Sequence, residues 1–205
     1  MDRGHPVYIA VGNIYWGITI YRVIRGVMRV SGIIASAVFW IFTFISISRN
    51  TWFDFYRDAF SDLGGSRAND PWIYNYGLIV ASIFVILLSL DMIMISRTKI
   101  GVVGGSYISI AGIFLALIGI FPAGTRPHTF VSTWFFIQAF IGFLIYGLGE
   151  FRKYPGYLAT IIIIFITALS GAIIIRWPSA ATIEAYEIIL LTVASLIYVI
   201  KHRFQ

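Results

Sequence analysis

Trp72-Ile-Tyr-Asn-Tyr-Gly-Leu-Ile-Val-Ala-Ser-Ile-Phe-Val-Ile-Leu-Leu-Ser-Leu-Asp-Met-Ile-Met-Ile95 carries one charged residue, Asp91, close to its end. As a helix rising 1.5 Å per residue this run extends roughly 36 Å, enough to cross about 30 Å of bilayer hydrocarbon. Its apolar residues fall on every face, so its surroundings must be apolar all round. Asp70-Pro71 ahead of it reads as an N-cap with proline at the first helical position, and Arg97 and Lys99 follow it.

The same reading extends outward from this segment. Val30 to Ser48, Gly101 to Phe121, Thr129 to Gly149, Tyr157 to Ile175 and Ile183 to Ile200 are comparably apolar, which gives six spans. Pro127 and Pro155 can open helices as Pro71 does, while Pro122 and Pro178 close the preceding ones. Gly101, Gly105, Ser109, Gly112 and Ala116 form a small-residue stripe on the third span, suited to close helix packing. The fold class expected is therefore all-α, a polytopic membrane helix bundle.

Composition agrees. The 205 residues are 59% hydrophobic and 12% charged, whereas a soluble domain carries about 25% charged residues. The formal charge of +6 lies in short clusters between apolar runs, which argues for membrane orientation and against nucleic-acid binding. Cysteine is absent, so disulfides, thiolate nucleophiles and cysteine metal sites are excluded.

Arg3, Arg22, Arg25, Arg29, Arg97, Lys99, Arg152, Lys153, Lys201 and Arg203 fall on one side of the six spans, and Arg49, Arg57, Arg67, Arg126 and Arg176 on the other. The more basic side is expected to be cytoplasmic, giving a multi-pass plasma (cell) membrane protein with both termini inside. Residues 1–29 read as an N-terminal interfacial segment and 30–205 as a six-helix transmembrane domain. The apolar stretch Val7 to Tyr21 is short for a span; the expectation is a helix in the inner interface, the alternative a seventh span. Positive charges follow this stretch instead of preceding it, unlike a cleaved signal peptide.

The chemistry-bearing residues concentrate on the expected outer side. Asp54, Asp58 and Asp62 recur every four residues, so a helix there would stack three carboxylates, ended by Gly64-Gly65. His128 stands at the start of the fourth span beside Arg126, and Glu184 and Glu187 share one face of the sixth, near Arg176. Glu187 lies deeper in its apolar run and needs a partner, with Arg176, Arg126 and His128 the candidates. Asp91, near the inner end of the second span, could pair with Arg97.

Asp58-Ala-Phe-Ser-Asp-Leu-Gly64, Tyr74-Asn-Tyr-Gly-Leu-Ile79, Gly119-Ile-Phe-Pro122, His128 and Ser132-Thr-Trp-Phe-Phe136 together resemble an uncharacterised family of small prokaryotic membrane proteins, catalogued as domain of unknown function 998. The resemblance runs from about residue 30 to the C-terminus. It implies six spans and, as recurring polar positions, Ser61, Asp62, Asn75, His128 and either Glu184 or Glu187; it brings no reaction with it.

Three function classes follow. One is a lipid-active hydrolase at an extracytoplasmic site. Its catalytic residues would be Ser61, Asp62, His128 and Glu187, with Asn75, Arg126 and Arg176 binding a lipid or lipid-linked substrate. In its metal-assisted form Asp58, Asp62, His128 and Glu184 would hold a divalent metal. The second is a head-group or ion binder or a transporter using the same groups. The third is a non-catalytic accessory subunit of an oligomer or membrane complex. No HExxH or GxSxG motif decides for the first.

Overall fold

A computed structural model describes the backbone of residues 6–202 and the side chains of residues 21–202. The order is α1 (Pro6–Arg49), a short 3-10 helix (Phe60–Gly64), α2 (Pro71–Ile95), α3 (Lys99–Ile120), α4 (His128–Glu150), α5 (Pro155–Ile174) and α6 (Ala180–His202). Among the described residues six stretches are long and apolar enough to cross a membrane: Tyr21–Arg49 of α1 and the whole of α2 to α6. Pro71 and Pro155 take the first helical positions of α2 and α5, and α3 and α5 end before Pro122 and Pro178. The interfacial placement expected of residues 7–21 falls, save for Tyr21, on residues whose side chains lie outside the described part. The α1 backbone runs unbroken through residues 29 and 30, so the two segments inferred from composition share one helix.

Each of α1 to α4 packs against the next, and α6 returns against α1. Between apolar helices in lipid there is little hydrophobic drive, so close approach must supply the attraction. The small residues of α3 provide it on two faces. Toward α2, Gly105 lies under Ile93, Gly112 under Ile86, and the Ser89 and Ser109 hydroxyls bond at 2.7 Å. Toward α4, Gly104 lies against the Tyr146 backbone and Gly101 against Gly149. Outward-facing Ile163, Ile166, Ile173 and Ile174 are exposed, as lipid-facing side chains are.

Segments 50–70, 121–127 and 175–179 gather at one end of the bundle, the loop end. The opposite end is closed by charge. Asp91 is fully buried, and its carboxylate meets Arg25 Nε at 3.0 Å and Arg29 Nε at 3.9 Å, while the Tyr198 hydroxyl donates to it at 2.6 Å. The pairing with Arg97 expected from the sequence is replaced by these two arginines of α1, because Asp91 faces into the bundle. Nearby, Lys201 Nζ lies 3.5 Å from Glu150 Oε2 and over the rings of Tyr146, Tyr154 and Tyr157 at 4.4 to 4.6 Å.

Candidate functional site

The loop between α1 and α2 is the lid of the loop end, and its carboxylates explain its shape. Asp58 Oδ2 accepts from the Asp54 amide at 2.7 Å, Asp54 Oδ1 from Tyr56 at 2.9 Å, and Asp62 Oδ2 from Ala59 at 2.8 Å. Such local side-chain bonds compete with a helical ladder. The stacked acidic helix expected over Asp54 to Asp62 is therefore replaced by turns and the short 3-10 helix, which does end at Gly64.

This lid is anchored from below. Phe60, 2% exposed, inserts at the bundle mouth with ring contacts to Phe39 and Trp40 of α1, and Leu63 is fully buried. The Phe60 amide donates to Glu184 Oε2 at 2.9 Å, the Ala181 amide to the Asp58 carbonyl at 3.1 Å, and Ser179 Oγ to the Phe55 carbonyl at 2.7 Å. Asn75 Nδ2 donates to the Gly64 carbonyl at 3.0 Å. Asn50, 1% exposed, clasps the other side by bonding the Asn69 amide and carbonyl. Asp70 precedes α2 in the left-handed region (φ 52°), which aspartate tolerates better than most residues. Its carboxylate pairs with Arg49 at 2.9 Å and makes no cap bond.

Beneath the lid lie two neighbouring spaces. An internal cavity of about 90 Å³ runs down the bundle from Ser61, Tyr74 and Glu184 to Gly32 and Ser195. A larger groove of about 500 Å³ lies between α4, α5 and α6, with Phe140, Phe165 and Ala168 as its apolar floor and Glu184 and Glu187 on its α6 wall. Thr133, Ile137, Leu169 and Ala172 line it and are themselves exposed, so it opens sideways toward lipid. Ser132, Phe136 and Glu184 line both spaces.

The residues singled out by the sequence divide accordingly. Ser61 lines the cavity, Glu187 the groove and Glu184 both. Asp62 and His128 line neither. His128 Nδ1 lies 2.8 Å from the Phe121 carbonyl; a carbonyl can only accept, so Nδ1 donates and the ring closes its own loop. Arg126 and Arg176 are exposed, and Asn75 serves the lid. Among the described residues no three His, Asp or Glu side chains form a group that could hold a metal. The set Asp58, Asp62, His128 and Glu184 forms no such group, and each member bonds a backbone group. Tyr74 and Ser132 line these spaces without having been singled out, although both stand in the quoted motifs; a tyrosine or serine near a helix start gives no sign of which way it faces.

Six apolar helices around a largely apolar interior define an integral, multi-pass membrane protein in a lipid bilayer. A family model described as "Protein of unknown function (DUF998)" matches residues 33–201, and the chain belongs to that family. No curated protein and no solved structure matches it.

Proposed function

We propose that this protein binds an amphiphile that enters sideways from the bilayer, lays its chain in the groove between α4, α5 and α6 and brings its polar end to Glu184 and Glu187. The observation that carries this reading is the sharing of Ser132, Phe136 and Glu184 between groove and cavity, which sets two largely apolar spaces side by side with carboxylates on their walls. The groove's volume of about 500 Å³ falls in the range of roughly 300–1,000 Å³ typical of small-molecule sites. Binding is favoured over hydrolysis because Ser61 lines the cavity while His128, the proposed base, lines neither space.

The test is photolabelling with a diazirine-bearing alkyl amphiphile in nanodiscs. Wild type is expected to be labelled saturably. Ala172→Trp, placed on the exposed rim so that the fold is spared, is expected to reduce saturable labelling at least about tenfold by filling the entrance. Equal labelling of the two proteins would overturn the reading.

The loop end is proposed to face outward, since the opposite end holds the denser cluster of basic residues. The chain lacks cysteine, so single-cysteine variants report directly. Thr125→Cys is expected to react with an impermeant maleimide in intact cells, and Lys153→Cys only after permeabilisation. The opposite pattern would reverse the orientation.

A further inference from the structure

We infer that the polar end taken by this groove is a protonated amine, so that the ligand is a cationic, long-chain amphiphile. This rests on the groove reading above and adds the head-group class. Three observations lead to it. Glu187 is 6% exposed, and its Oε2 is buried against the groove with no hydrogen-bond partner. Glu184, one turn nearer the loop end, shares the same wall, and its Oε2 already acts as an acceptor for the Phe60 amide. Among the described residues neither carboxylate has a cation within ion-pair distance, and the ion pairs involve Asp54, Asp70, Asp91 and Glu150 instead.

Elsewhere in this bundle buried acids are paired. Asp91 has two arginines and a tyrosine, and Glu150 has Lys201 and Ser96. An intramembrane acid left alone is costly, and such acids mark ligand or ion pathways. Arg126 and Arg176, the partners that the sequence offered, are exposed and line neither space. A countercharge would then come from a ligand in the groove, whose lining beyond the carboxylates is apolar apart from Ser132 and Thr133. An ammonium group on an alkyl chain supplies both halves: N–H donors for the two carboxylates, and a chain for Phe140, Phe165 and Ala168. A carboxylate or phosphate head would meet like charge at the same place.

The experiment is competition against the alkyl photoprobe in nanodiscs, comparing hexadecylamine with hexadecanol at equal mole fraction and with ethylamine in the water phase. The amine is expected to displace the probe from wild type at least about tenfold more effectively than the alcohol, in line with one charge-assisted hydrogen bond. Ethylamine, which has no chain, is expected to have no effect. Glu187→Gln keeps the shape and removes the charge; it is expected to abolish the preference while the alcohol still competes within about twofold, which also shows that the variant is folded. Equal competition by amine and alcohol in wild type would overturn the inference and leave the groove reading standing, as would a preference that survives Glu187→Gln combined with Glu184→Gln. Displacement by ethylamine would overturn it in favour of a water-facing cation site. If neither long-chain compound competes and Ala172→Trp labels like wild type, the groove reading fails and the inference fails with it.

Discussion

Asp91→Asn is expected to destabilise the protein by about 3 kcal/mol, measured as the loss of folded fraction in a denaturant titration in mixed micelles. Asp91 is fully buried, while the Arg25 and Arg29 side chains are 14% and 18% exposed. Asparagine can still accept from Tyr198, but it leaves two largely buried guanidinium groups without their countercharge. Removing one member of a buried ion pair costs about 3–5 kcal/mol because the other charge stays behind, and the arginines' partial exposure places this case at the lower end. Arg25→Ala alone is expected to cost less, since Arg29 remains near the carboxylate. If Asp91→Asn and Arg25→Ala prove equally mild, below about 1 kcal/mol, the cluster is not what closes this end of the bundle.

Gly104→Val is expected to be comparably severe for a different reason. A Cβ on Gly104 would overlap the backbone nitrogen and Cα of Tyr146, so α3 and α4 meet there backbone to backbone. Overpacking costs typically about 1–3 kcal/mol, and no rotamer change can relieve a clash with backbone, so the upper part of that range applies. Gly26 provides the control: an added Cβ meets nothing within 4 Å, and Gly26→Ala is expected to be neutral or stabilising by up to about 1 kcal/mol through helix propensity. Equal stability of Gly104→Val and Gly26→Ala would show that α3 and α4 do not depend on close backbone packing at Gly104.

Sequence was sufficient for the spans and for a packing stripe on α3, though Gly104 lies outside that stripe. Six spans, their proline boundaries and the packing stripe on α3 follow from local composition, because a bilayer demands about 20 apolar residues per crossing and a close crossing demands small ones. Helix rotation is another matter. Asp91 has Arg97 closer in sequence than Arg25, yet pairing is decided by which face of α2 turns inward. That depends on all the contacts of the bundle at once. For the same reason the sequence could place Ser61, Asp62, His128 and Glu187 at one end of the molecule but not in one space. The acidic spacing over Asp54 to Asp62 fits a helix, and local bonds from aspartate to the backbone prevailed. Cost was legible: a carboxyl deep in an apolar run needs a partner, and the buried Glu187 Oε2 has none among the described residues.

The chain-binding groove that opens sideways between α4, α5 and α6 is open to a direct test, mapping the photolabelled residues by mass spectrometry. Adducts are expected to concentrate on Ile137, Phe165 and Leu169, with competition by unlabelled amphiphile removing them. Adducts spread evenly over the outward-facing Ile163, Ile166 and Ile173, and insensitive to competitor, would contradict it.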